Sequence, residues 1–97
     1  MPYYVSLMNL TEQGLKDIKN APARLAESEK ALQAVGARLV AFYMVMGAYD
    51  YVAITEGPSD EVAATFLLNL GMQGNVRTLT MKAFTQEQVA GFVKNLP

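Results

Sequence analysis

Two strand-like runs, Arg38 to Met46 and Tyr49 to Glu56, are separated only by Gly47-Ala48. Two residues make the shortest common connection in an antiparallel pair, and glycine supplies the positive φ that a type II′ turn needs. A hairpin is therefore predicted at the centre of the chain, and the flanking segments must be compatible with it. Pairing across that turn sets Met46 opposite Tyr49, Met44 opposite Tyr51 and Phe42 opposite Ala53 on one face. Leu39, Val45, Val52 and Ile54 fall on the other.

Upstream, Tyr3 to Leu10 reads as a strand, and Thr11-Glu12 as the N-cap and first turn of a helix. Leu15, Ile18, Leu25, Leu32 and Val35 recur at helical spacing, which predicts one apolar face. Pro22 interrupts the helix, and Asn20 can cap a second one in which Pro22 sits in the first turn. That helix is expected to end at Gly36. Downstream of the hairpin, Ser59 caps a helix with Val62, Phe66 and Leu70 in line, stopped by Gly71-Met72-Gln73-Gly74. Val76 to Phe84 is a fourth strand. Thr85-Gln86-Glu87-Gln88 is a capping box opening a last helix with Val89, Phe92, Val93 and Leu96 apolar. The order is βαββαβα over a single domain, residues 1–97. The fold class expected is α+β, a ferredoxin-like four-stranded antiparallel sheet with helices on one face.

The strands do not alternate cleanly, so both sheet faces are apolar. Val5 and Leu7 share a face with the aliphatic residues of the hairpin, and this compact set suits packing under helices. Tyr4, Met8, Phe42, Met44, Met46 and Tyr51 would then form the open face. So large an apolar patch exceeds the ~400 Å² usual for a monomer, so a second copy of the chain is expected to cover it. In the fourth strand Thr78, Thr80 and Lys82 are assigned to the open face, and Leu79, Met81 and Ala83 to the helices. The composition agrees, with 52% apolar and only 18% charged residues.

The chain has no cysteine and no histidine, which closes disulfides, thiolate metal sites, histidine general bases and histidine- or cysteine-ligated haem. No oxygen-ligand cluster stands at a recognised spacing, so no metal and no cofactor are expected. A net charge of −1 gives no electrostatic hold on nucleic acid. No apolar run is long enough to span a membrane and no signal peptide is evident, which makes a cytoplasmic location the expectation.

Three stretches resemble the GYD domain family: Leu7 to Gly14, Met46-Gly47-Ala48-Tyr49-Asp50, and Gly74 to Thr78. Gly47, Tyr49 and Asp50 match its name-giving residues. The resemblance covers nearly the whole chain and implies a dimeric α+β barrel, in which two ferredoxin-like sheets meet face to face. It implies no particular activity. The candidate ligand-binding residues are Tyr49, Asp50, Tyr51, Asn75 and Arg77. Asp50 is equally suited to cap the hairpin through nearby backbone N–H groups. Arg77 can clamp a carboxylate or phosphate, or pair with Asp50 or Glu56. With the first and third strands taken as parallel, the starts of the third and fourth strands lie at opposite ends. Tyr49 and Asp50 then meet Asn75 and Arg77 only across a subunit boundary. The carboxylates on helices, Asp60 among them, are read as solvated or dipole partners. The expected function is binding of a small, partly apolar organic molecule in a sheet-lined cavity of a homo-oligomer. Cofactor-free catalysis, with Asp50 and Tyr49 moving a proton and Arg77 holding an oxyanion, is the alternative, followed by a purely structural or regulatory module.

Overall fold

A computed structural model describes residues 1–97. Strands β1 (Tyr3–Leu10), β2 (Arg38–Met44), β3 (Tyr51–Glu56) and β4 (Val76–Ala83) form one sheet in the order β2-β3-β1-β4, and every neighbouring pair is antiparallel. Helix α1 (Glu12–Lys16) follows β1, and a 3₁₀ turn (Ile18–Asn20) leads into α2 (Ala21–Ala34). Helix α3 (Asp60–Met72) connects β3 to β4, and α4 (Gln86–Lys94) ends the chain. The fold is α+β and ferredoxin-like.

Three of the four expected caps form; Asn20 stands at the N-cap of α2 but its side chain makes no cap bond and donates to Asp17 Oδ1 instead. Thr11 Oγ1 accepts from the Gly14 N–H and Ser59 Oγ from the Val62 N–H. Thr85 and Gln88 satisfy each other reciprocally in a capping box. Pro22 lies in the first turn of α2, where a missing N–H costs nothing. The intervening 3₁₀ turn changes the helical phase, so Leu15 and Ile18 are exposed, Val35 lies exposed just past the end of α2, and only Leu25 and Leu32 reach the interior. The five residues do not share one face. The hairpin is shorter than its sequence predicts. Met44 pairs with Tyr51 and Phe42 with Ala53, but Met46 and Tyr49 stand outside the ladder. Gly47 has a positive φ, +128°, but residues 47 and 48 form an open bend and not the expected two-residue turn. A bulge between Leu39 and Ala41 shifts the phase of β2, placing Leu39 on the same face as Phe42.

The two sheet faces are the reverse of the expected ones. Tyr4, Ser6 and Met8 are buried beneath the helices, together with Ala53 and half-buried Phe42 and Tyr51. Val5, Leu7, Ile54, Leu79 and Met81 lie on the open side. Alternation sorts residues into two sets without saying which set the crossover helices cover. Here the interior set has polar atoms with partners across the gap, so burying it leaves none unsatisfied. The second-copy interface expected from Tyr4, Met8, Phe42, Met44 and Tyr51 is therefore misplaced: Tyr4, Met8, Phe42 and Tyr51 pack towards the chain's own helices, and only Met44 stays exposed.

Candidate functional site

Between the sheet and helices α2 and α3 lies a cavity of about 330 Å³. Its floor is the sheet, with Ser6, Ala53 and Thr80 near the centre, and its roof carries Leu32 from α2 and Phe66 and Leu70 from α3. The small side chain of Ala53 stands directly across from Ser6 on one side and Phe42 on the other. Phe42 and Tyr51 pack with ring centroids 5.0 Å apart at 44° and form one wall. The walls are mainly apolar with a few placed polar groups, the make-up of a small-molecule pocket. Ser6 Oγ and Thr80 Oγ1 stand 2.8 Å apart. One hydroxyl donates to the other, so the pair keeps one further O–H and spare acceptor capacity.

At the cavity's edge the Tyr4 hydroxyl donates to Asp60 Oδ1 at 2.5 Å. Lys82, the cross-strand partner of Tyr4, reaches the same carboxylate at 3.3 Å. Burial, and then the neighbouring Asp60, push the Tyr4 phenol up to about 12. The Tyr4 hydrogen bond, reinforced by Lys82, holds the Asp60 carboxyl below its ordinary value. Asp60 is thus more than a solvated dipole partner at the start of α3.

The predicted residues gather at the end of the sheet where β1 finishes, with Tyr51 and Asn75 reaching the cavity. Because β1 is antiparallel to both β3 and β4, Met8 pairs with Tyr51 and Leu10 with Val76. The starts of β3 and β4 therefore share one end within a single chain, and no subunit boundary is needed to bring them there. The parallel assignment of the first and third strands is corrected by this register. Asp50 extends the pairing of β1: its N–H donates to the Met8 carbonyl, and its Oδ2 accepts from the Leu10 N–H at 2.9 Å. Its carboxylate serves the neighbouring strand's backbone, not the hairpin's own. Asn75 accepts from the Gln13 side chain at 3.0 Å, and its carbonyl accepts from the Thr11 N–H. Thr11 Oγ1 donates to the Gly74 carbonyl at 2.6 Å. Helix α1 is thereby latched onto the loop before β4. Arg77 is exposed and pairs with neither Asp50 nor Glu56; Glu56 pairs with Arg38 instead. Of the five candidates, Tyr51 and Asn75 line the cavity, whereas Tyr49, Asp50 and Arg77 do not.

The polar cavity residues Tyr4, Ser6 and Thr80, and Asp60 bonded to Tyr4, were not among the candidates. Their signal was present: Ser6 and Thr80 are hydroxyls at positions that alternate with Tyr4 and Met8 on one face and with Thr78 and Lys82 on another strand. No group of three or more carboxylates is placed to hold a metal ion. No helix is long and apolar enough to cross a membrane.

A four-stranded βαββαβ sheet with a cavity under its helices defines a ferredoxin-like α+β domain. The model of the GYD domain matches residues 4–93, and the chain belongs to that family. A Thermus thermophilus protein named glutamine synthetase and cystathionine beta-lyase binding protein is 34% identical over 84 residues, covering 86% of this chain and 88% of the relative. Among solved structures, FFRP-DM1 aligns with a TM-score of 0.61 at 20% identity, over 87% of this chain and all of that one. The 5-chloro-2-hydroxyhydroquinone dehydrochlorinase of Burkholderia phenoliruptrix AC1100, in complex with 2,5-dihydroxybenzoquinone, aligns with a TM-score of 0.62 at 17% identity, over 91% and 98%. At such identities these structures establish the fold alone.

Proposed function

We propose that this chain is a homo-oligomeric binding domain whose cavity between sheet and helices takes a small, uncharged, partly apolar organic molecule. The carrying observation is the Ser6–Thr80 hydroxyl pair at the floor of an otherwise mainly apolar cavity of about 330 Å³. Such a pair can give or accept one hydrogen bond and so orient a ligand held chiefly by apolar contact. Of the charged lining residues, Arg24 is paired with Asp17 and Glu56 with Arg38, which leaves Glu29 without a salt bridge and no unpaired cation for an anionic ligand. Self-association is supported by the open sheet face, where Tyr43, Leu79 and Met81 are exposed. Catalysis by Asp50, Tyr49 and Arg77 gains no support from their positions outside the cavity.

Titration with 2-naphthol, a neutral aromatic probe, tests the reading. Binding is expected to the unmodified chain and to be lost when Ala53→Phe fills the floor or Ala63→Leu narrows the roof, each variant being checked for folding by circular dichroism. Equal binding by a folded, filled variant would place the probe elsewhere and refute the cavity assignment.

A second reading follows from the 34% identical relative, whose name describes binding to two enzymes. By analogy the chain would dock on protein partners. Sedimentation of mixtures with purified glutamine synthetase and with purified cystathionine beta-lyase checks it, and independent migration in both mixtures removes it.

A further inference from the structure

We infer that residues Phe84 to Pro97 form an arm that docks on a second copy of this chain. Val89, Phe92, Val93 and Leu96 follow the i, i+3, i+4, i+7 spacing, which aligns the first three on one stripe of α4 with Leu96 continuing it just past the helix end. Yet every residue from 86 to 97 is exposed. Within its own chain the helix packs closely on no other helix or strand, and Phe84 meets Phe92 edge-on at 5.1 Å. That contact and the Thr85 capping box fix the angle at which α4 leaves β4. The molecule is correspondingly extended, at 53 × 32 × 18 Å, with a radius of gyration of 14.8 Å. A compact chain of this length has a radius of about 12.5 Å. Nine residues are too few for a stable helix in water alone, so a formed α4 calls for a surface beneath its stripe.

A second copy fits that surface best. The stripe leaves roughly 400 Å² of apolar area uncovered, as much as a monomer's largest patch usually amounts to. Leu79 and Met81 of β4, on the open face of the sheet, are exposed as well. Arm and open face together approach the ~800 Å² per partner of a standard interface, and a twofold axis would use both arms at once. The helix carries one acid in its first turn, Glu87, and one base in its last, Lys94, so it presents no net charge to select a strongly charged partner. This inference rests on the homo-oligomeric part of the proposed function.

Sedimentation velocity across a dilution series, with the full chain and with Phe92→Asp/Val93→Asp, tests it. Both positions are exposed, so the variant keeps the fold, which circular dichroism verifies. The unmodified chain is expected to dissociate at least about tenfold less readily than the variant. The chain has no tryptophan, so Phe92→Trp adds a lone reporter. Its emission is expected to be blue-shifted in the dimer and to move red in step with dissociation. An unmodified chain that is monomeric at micromolar concentration overturns both the arm and the homo-oligomer. A dimer whose dissociation constant the double aspartate leaves unchanged overturns the arm alone. So does tryptophan emission that is solvent-like in the dimer, or blue-shifted in the monomer because the helix folds back on its own chain.

Discussion

The Tyr4 hydroxyl and Asp60 Oδ1, 56 positions apart in sequence, stand 2.5 Å from each other and tie β1, one of the two inner strands of the sheet, to the first turn of α3. The phenol must stay protonated to donate. Its value is pushed up to about 12 in the folded chain, first by burial and then by Asp60, against about 10 when unfolded. A raised folded value means that the contribution to stability is complete below pH 10 and disappears as pH climbs towards 12. Tyr4→Phe lacks this titration. The stability gap between the unmodified chain and Tyr4→Phe, measured by urea unfolding, is expected to be constant from pH 7 to 9 and to close between pH 10 and 12. A gap independent of pH in that window would mean that the phenol is not held by burial and Asp60.

The acidic limb has the opposite sign. The folded value of Asp60 is lowered, chiefly by the Tyr4 hydrogen bond and then by Lys82. Its contribution is present above the ordinary carboxyl range and lost as pH falls through the lower folded value. Tyr4→Phe should shift the Asp60 titration upward, read by carboxyl NMR. An unmoved titration would assign the lowering to Lys82 alone.

Gly14 is the tightest backbone approach in the latch between α1 and the loop before β4. A Cβ there would lie 2.1 Å from the Asn75 carbonyl oxygen, which also accepts from the Thr11 N–H. Neither strand β4 nor α1 can retreat without breaking that bond. Gly14→Ala is expected to cost about 2–3 kcal/mol in urea unfolding, the range for overpacking a tight site. Gly71 in α3 is the control, since a Cβ there meets nothing within 4 Å. Gly71→Ala should be neutral or stabilise by up to about 1 kcal/mol. Equal responses at the two positions would refute the steric account.

Element order, the caps and most strand limits were legible because each rests on short-range chemistry: Thr11, Ser59 and Thr85 as caps, Pro22 in a first turn, Gly47 at positive φ. The covered face was not legible. Alternation grouped Tyr4 with Ser6 and Met8, and Val5 with Leu7, but the aliphatic set looked the more suitable interior. The deciding facts were long-range: Thr80 opposite Ser6, and Asp60 within reach of Tyr4. The candidate site failed in a related way. Asp50 and Asn75 stand out in sequence, and both are occupied in joining β1 and α1 to their neighbours. A motif around a strand end can mark an architectural joint as well as a binding site.

That distinction can be measured at Asp50 and Arg77. Asp50 Oδ2 satisfies the part-buried Leu10 N–H just beyond the last β1–β3 pair, whereas Arg77 is exposed and makes no ion pair. Asp50→Ala leaves the Leu10 donor without its partner, which should cost about 1–2 kcal/mol. Asp50→Asn retains an acceptor oxygen and should cost less. Arg77→Ala changes only an exposed side chain and should stay within about 0.5 kcal/mol. If the two residues have separate roles, the Asp50→Ala/Arg77→Ala double variant shows the sum of the single effects to within about 0.5 kcal/mol, and 2-naphthol binding is unchanged in all three. A coupling well beyond that margin, or loss of probe binding in the folded single variants, would restore Asp50 and Arg77 as one shared site and move the functional centre from the cavity to the strand end.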